Sequence, residues 1–444
     1  MKNNKPKNGL TRRDFMKRTT LAAGGGLLFS SLPVSASAYA GANDTLNVAV
    51  VGCGGRGTGA ANQALTADEG VKIVALADAF RDRLDDCYNT LNERWGETGR
   101  LDIPEERKFT GFDAYKHATE LADVVILATP PGFRPLHFEE AVNQGKHIFM
   151  EKPVAVDATG VRRILAAGRI AKQKKLNVIV GLQRHYQRNY LEALQRVQNG
   201  DMGDITGGSV YWNSAGVWVR ERQPDMTEME YQMRNWYYFN WLCGDHILEQ
   251  HIHNIDVANW FIGEYPETAQ GMGGREVRTG KDHGQIFDHH FVEFTYPGGA
   301  VISSQCRHQP DTFSRVEEHL RGTYGTIELD QGGKALMKDR NGVLLYDHNS
   351  MNDPNPYQQE HDDLFAAIRN GDVIDDTENG AKATLSAIMG RLATYSGQVI
   401  TWEQAINSQE DIVPDNLDWD VDPPVLPDEN GNYPVPVPGV YQPV

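Results

Sequence analysis

Cysteine is scarce. Four residues, Cys53, Cys87, Cys243 and Cys306, are scattered over 444 positions, with no Cys-x-x-Cys and no paired spacing. A disulfide scaffold or a zinc ribbon is therefore not what holds this fold together. Positive charge is also short: 43 Lys and Arg stand against 60 Asp and Glu, a formal net charge of −17. So acidic a chain is a poor partner for nucleic acid or an anionic membrane. The mildly apolar stretch Leu21–Leu32 is too short and glycine-rich to span a bilayer, so no membrane anchor is expected. No repeat of solenoid length is present. What the chain does have is length, enough for two domains and a sizeable core.

The first forty residues are read as an address. They begin basic and continue Thr11-Arg12-Arg13-Asp14-Phe15-Met16-Lys17, then the apolar stretch, then Ala36-Ser37-Ala38-Tyr39-Ala40. This is the layout of a twin-arginine export signal cut after Ala38 or Ala40, which predicts a periplasmic or secreted protein. Its removal takes the formal charge from −17 to −23. The twin-arginine route carries folded proteins, and no soluble nicotinamide pool is expected outside the cytoplasm. A nucleotide on such a protein would be bound before export and kept.

The chain is organised around Asn47–Gly57. A short apolar run ends in Gly52-x-Gly54-x-x-Gly57, and a second, Val71 to Asp78, ends in an acid. Gly52 suits the tight turn, Gly54 lets backbone approach a pyrophosphate, and Gly57 lets the next helix pack close. With Gly55 and Arg56 these residues form the predicted phosphate loop, at the positive end of a helix dipole. Asp78 is placed to accept hydrogen bonds from a ribose diol and to repel a 2′-phosphate. NAD is the expected cofactor; Arg81 and Arg83, just beyond, keep NADP open.

Strand-like runs at Leu46–Val51, Val71–Asp78, Val124–Thr129, His147–Met150 and Val178–Leu182 alternate with helical segments. That alternation predicts an α/β chain with a doubly wound parallel sheet. After about residue 203 the runs Ile205–Trp212, Phe291–Tyr296, Val301–Cys306, Gly325–Leu329 and Val343–Tyr346 read as an open, mainly antiparallel sheet. The expected division is 1–40 signal, 44–165 nucleotide-binding domain, 166–400 substrate and oligomerisation domain, and 408–444 a proline-rich acidic tail, extended or disordered.

Three groups of residues carry candidate chemistry. Ala128-Thr129-Pro130-Pro131, His137 and Glu151-Lys152-Pro153 lie at the carboxyl edge of the first sheet, where nucleotides bind. Thr129, Pro130, His137, Glu151 and Lys152 are expected at the cofactor, and Lys152 could also polarise a substrate hydroxyl. The segment from Gly244 to Asp256 reads as one helix with His246, Glu249, His253 and Asp256 on one polar face. His253 is the candidate general base and Glu249 the residue that orients its ring. A metal site of His246, Glu249 and His253 matches no compact zinc motif, so no metal is expected. Finally, aromatics crowd between Tyr211 and Trp241, most of them core, with one or two, Trp236 among them, able to stack on a sugar. Arg184 and His185 would face the same cleft, joined by His246 and Asp256 at the substrate.

These motifs together resemble the glucose–fructose oxidoreductase / inositol dehydrogenase / MocA superfamily over residues 46–400. The Gly52–Gly57 loop, Ala77-Asp78, Ala128–Pro131, Glu151-Lys152-Pro153 and the helix holding His253 and Asp256 carry the resemblance. It implies a Rossmann domain joined to an open-sheet domain used for homo-oligomerisation, a sugar or polyol substrate, and catalytic roles for Lys152 and His253. Glu249-x-His251-x-His253 departs from the family's Asp-x-Gly-x-His and implies a differently shaped pocket. Two enzymatic readings follow: an exported NAD(P)-dependent oxidoreductase of CH–OH groups that retains its nucleotide, and a glycoside hydrolase working by transient oxidation and elimination. A non-catalytic sugar-binding protein is the third.

Overall fold

The computed structural model describes residues 44–443; the expected export signal lies outside them. The first sheet contains β1 (Leu46–Val51), β2 (Val71–Asp78), β3 (Lys108–Thr110), β4 (Val124–Leu127), β5 (His147–Met150) and β6 (Val178–Val180). All are parallel, in the order β3-β2-β1-β4-β5-β6. β1 and β4 are nearly continuous Val, Ile, Leu and Ala, and they are buried because helices cover both faces. The order reverses between β1 and β4, so a crevice opens outside their carboxyl ends.

The second sheet contains β7 (Ile205–Ser214), β8 (Thr268–Gly274), β9 (His289–Thr295), β10 (Val301–His308), β11 (Arg315–Gly322), β12 (Gly325–Asp330), β13 (Ala335–Asp339), β14 (Leu344–Asp347) and β15 (Ile400–Thr401). Its order is β14-β13-β12-β11-β7-β10-β9-β8-β15, antiparallel except for β7 against β10. Burial alternates along β9 and β10, as in a sheet with one face on the core. The covering element is the helix Thr377–Ser396, buried along nearly its whole length. It also packs on the first domain, where a Cβ on Gly168 would come within 2.5 Å of Thr377. One apolar cluster runs from Val51 and Leu127 to Val210 and Phe294, so the two sheets share a core.

Two expectations change, and one strand is unforeseen. The boundary at 165 falls inside the helix Ala158–Gln173, and β6 still belongs to the first sheet, so the division lies beyond Val180. The helix expected from Gly244 to Asp256 is broken: His246–Glu249 and Ile252–Ile262 are separate helices, with Gln250 and His251 between them. β8 escapes a propensity reading because it is rich in glycine. Its Gly271 and Gly273 are pressed so close to β9 that a Cβ would sit 2.4 Å from Phe291 O and 2.6 Å from His289 O. The tail forms no helix or strand, yet Trp419, Tyr433 and Tyr441 tie it down. Among the described residues no helix is long and apolar enough to cross a membrane.

Candidate active site

β1 delivers Gly52 into the crevice at φ +96°, and a Cβ there would collide with the backbone between Ala128 and Thr129 at 2.5 Å. Gly57 is tighter still, since its Cβ would lie 1.8 Å from Gly52 O. Cβ atoms on Gly54 and Gly55, by contrast, would meet nothing within 4 Å, so the loop's backbone faces open space. The helix Gly55–Ala67 starts there with no side-chain cap. Its first N–H groups are left for an anion to satisfy.

In front of this loop lies a cavity of about 440 Å³. Gly52, Gly54, Gly55, Arg56, Asp78, Thr129, Pro130, His137 and Trp236 all line it. Asp78 is fixed by two backbone donors, Cys53 N to Oδ2 at 2.7 Å and Phe80 N to Oδ1 at 2.9 Å. Each oxygen keeps a second lone pair for a ribose hydroxyl. Burial raises its pKa against the pull of those N–H groups. Thr129 Oγ1 meets His137 Nδ1 at 3.1 Å. Burial, with Arg134 adding to it, drops the His137 pKa to about 3, so this ring is neutral. Arg83 lines the cavity too, whereas Arg81 is taken by Asp85 and Glu105.

Glu151 is not at the cavity. Its carboxylate holds Arg56, which also faces Glu360 at 3.7 Å and donates to Gln63 at 2.8 Å. The role expected of Glu151 is thus corrected from contacting the nucleotide to bracing the arginine of its loop. Lys152 does not line the cavity either. It reaches across to the second domain, where Nζ donates to the backbone carbonyl of Glu249 and, at 3.2 Å, to Glu249 Oε1. Burial raises the Glu249 pKa, and Lys152 opposes that rise.

The broken helix decides the rest. His253 begins the second segment, 5% exposed, with its ring stacked 6.0 Å from Trp212. Burial, then the positive charge of Lys152 and Arg184, holds its pKa well below the ordinary value. Its Nδ1 is buried without a partner, and Glu249 points to Lys152. Glu249 therefore does not orient His253, a second correction. His246, Glu249 and His253 do not converge on a common point, so the metal site weighed for those three is absent among the described residues.

Four expected substrate contacts turn inward. Arg184 pairs with Glu318 at 1% and 0% side-chain exposure. Tyr190 Oη and Asn254 Nδ2 donate to the same carboxylate at 2.9 and 2.5 Å. His185 donates to Asp256 at 2.7 Å and stacks on Trp260 at 3.9 Å. Burial works against its charge, yet Asp256 raises its pKa. His246 is fully buried against His290 and His308. The reason is common to all four. Each lies wholly or largely out of water among residues beyond Val180, and polar groups there must find protein partners. Phe112, Tyr115, Trp218 and Arg220 line the cavity without having been singled out for it. Trp218 stood among the crowded aromatics, and Phe112 and Tyr115 carry no sequence signal.

Residues 46–182 match the family described as the oxidoreductase family with an NAD-binding Rossmann fold, and residues 190–328 match the GFO/IDH/MocA C-terminal domain. The inositol 2-dehydrogenase of Rhizobium meliloti (strain 1021) is 23% identical over 333 residues, 73% of this chain and 89% of that protein. A glycosyl hydrolase family 109 protein of Shewanella pealeana is 26% identical over 245 residues, 51% of this chain and 50% of that protein. The solved structure of scyllo-inositol dehydrogenase from Lactobacillus casei, with NAD(H) and scyllo-inositol, superposes with a TM-score of 0.60 at 20% identity. It covers 81% of this chain and 100% of that one. NAD is the cofactor this cradle takes.

Proposed function

Because the chain belongs to the GFO/IDH/MocA family of NAD-binding oxidoreductases, we propose that it oxidises a secondary hydroxyl of a sugar or polyol and keeps its nucleotide through turnover. The observation that carries this reading is Lys152. It leaves the edge of the nucleotide-binding sheet and meets Glu249 of the second domain, with His253 close enough to feel its charge. NAD, when bound, supplies the two-electron acceptor. The chain's own residues do the proton work. The Lys152 ammonium donates to the substrate oxygen and stabilises negative charge there. His253, neutral and with no hydrogen bond to Nδ1, is in the form that accepts the hydroxyl proton. Trp236 and Trp218, on the cavity wall, offer aromatic faces to the C–H face of a sugar.

A second reading is favoured by the Shewanella relative and by one feature of the site. Glu249, its pKa raised by burial and its carboxylate at Lys152, is a second proton-transfer group besides His253. Oxidation at one sugar carbon acidifies the neighbouring C–H. A second base could remove that proton, the anomeric substituent would leave, and water would add before the carbonyl is reduced again. The net result is hydrolysis with no net redox change.

Three further proposals concern the setting. The twin-arginine motif supports export to the periplasm or beyond. Retention of the nucleotide follows from export, and a second sugar would then return the enzyme to its starting state. The outer face of the nine-stranded sheet supports self-association, which light scattering would read.

The purified mature protein should release about one nucleotide per chain on denaturation, as one Rossmann site implies. Free sugars should reduce it, seen as reduced-nicotinamide absorbance, and aryl glycosides should give no aglycone. Aglycone release without net reduction overturns the first reading in favour of the second. In Lys152→Ala, turnover should fall by about 10²–10⁴-fold with nucleotide still bound; undiminished turnover would put the chemistry elsewhere.

A further inference from the structure

Asp245 lies outside the proposed reaction. It sits at φ +77°, a conformation uncommon for a residue with a side chain. Its Oδ2 accepts from Phe287 N at 2.9 Å and from Tyr395 Oη at 2.5 Å, which anchors the carboxylate from two elements. Its Oδ1 already accepts from the His246 backbone N–H at 2.5 Å. Two imidazole nitrogens nevertheless crowd that same oxygen, His246 Nδ1 at 2.8 Å and His290 Nε2 at 3.2 Å.

Neither contact is a hydrogen bond. His246 Nδ1 and His290 Nε2 are both buried and unpartnered despite their closeness to the carboxylate. A short approach without hydrogen-bond alignment is what lone pairs show when they share a cation rather than a proton. The three ligand atoms lie within 4.8 Å of one another, and the three residues are 0%, 0% and 3% exposed. Donors held about 2.0–2.2 Å from one tetrahedral ion lie roughly 3.3–3.6 Å apart, a spacing the 2.8 and 3.2 Å approaches come near. His290 is further oriented by its other nitrogen, Nδ1, which meets Thr394 Oγ1 at 2.8 Å. Outer partners of this kind are what metal-ligating imidazoles use.

We propose that Asp245, His246 and His290 hold a structural divalent transition-metal ion, with zinc as the chemistry that suits two imidazoles and one carboxylate. The ion joins the turn before the helix His246–Glu249 to β9. It fixes the start of the short helix whose last residue meets Lys152. The site is distinct from the His246, Glu249 and His253 set, and two of its three ligands are separated by 44 positions, so no compact motif announces it.

The test uses tag-free, full-length protein produced with zinc in the medium and passed through a desalting column. Elemental analysis should find about one zinc per chain, the stoichiometry of a single closed site. X-ray absorption at the zinc edge should show nitrogen and oxygen neighbours at about 2.0–2.2 Å with imidazole scattering. His290→Gln should lower bound zinc at least about tenfold. His253→Gln, which removes a histidine outside the site, should keep the wild-type content and spectrum. Wild-type protein with negligible metal and no thermal shift on adding zinc overturns the proposal. So does a His290→Gln protein that folds by circular dichroism and keeps full zinc. If His290→Gln does not fold, the absorption spectrum of the wild type alone decides, and sulfur neighbours there would overturn the assignment.

Discussion

At the scale of single residues, environment decides chemistry more than identity does. Three histidines, His137, His253 and His185, begin from the same intrinsic affinity for a proton. Burial makes the first two neutral, and the Asp256 carboxylate keeps the third inclined to charge. This has a consequence for pH dependence. A base whose pKa is held below the usual imidazole value stays unprotonated as pH falls through that value. The acid limb of kcat/KM should therefore lie below pH 6.5, the ordinary value of the group, and rates should be level from there to neutrality. A limb centred near or above it would show that His253 is not the base. His253→Asn should lower kcat by about 10²–10⁴-fold.

At the scale of elements, the tightest constraint is the turn from β1 into its helix. Gly57 is pressed on Gly52 O at a distance no side chain survives. Gly57→Ala must push the helix start away from the strand, which unmakes the cradle. Nucleotide retained through purification should fall at least about tenfold, while circular dichroism shows the fold intact; full occupancy would mean the loop does not hold the phosphates. Beyond Val180 the corresponding element is the Glu318 carboxylate on β11. It joins Arg184, Tyr190 and Asn254, from three other segments. Glu318→Gln leaves a buried guanidinium without its counter-charge and should cost about 3–5 kcal/mol of unfolding free energy in denaturant titrations. A loss under about 1 kcal/mol would mean the pair is solvated like a surface bridge.

At the scale of the whole molecule, the tail closes on the nucleotide cavity. Trp419 lies 5.2 Å from the Phe80 ring and 4.7 Å from Phe112, and both phenylalanines line the cavity. Before it Ile412 N donates to Asp157 at 2.9 Å, and farther along Tyr433 packs on Phe239 and donates to Glu228, so the strap is anchored on both sides of that contact. An acidic, proline-rich segment with no regular structure thus acts as a brace. Trp419→Ala should speed nucleotide loss in a dilution assay by about tenfold, roughly the worth of one aromatic pair. Unchanged loss would confine the tail to a packing role.

What the sequence determined by itself is local. Gly52, Gly54, Gly57 and Asp78 act through backbone conformation and spacing within one βαβ unit; Gly52, Gly54 and Asp78 line the cavity, and Gly57 presses on Gly52 O. The parallel and antiparallel sheets were legible for the same reason, since strand periodicity is written in neighbouring residues. The place of Lys152, two residues past β5, was legible because the end of a strand in such a sheet lies at its carboxyl edge; its partner Glu249 was not. What tertiary structure alone decided is which polar groups face substrate and which face one another. Arg184, His185, His246 and Asp256 look the same in sequence as Trp236 or Glu249 do, as candidates near a cleft. Packing beyond Val180 takes them largely out of water, and a polar group there must be paired. The break at Gln250 turned one expected polar face into several, sending Glu249 to Lys152 and His246 to Asp245 and His290. No local pattern encodes that division, because the partners at residues 152 and 290 are far away in the chain and meet these groups only when both sheets share one core.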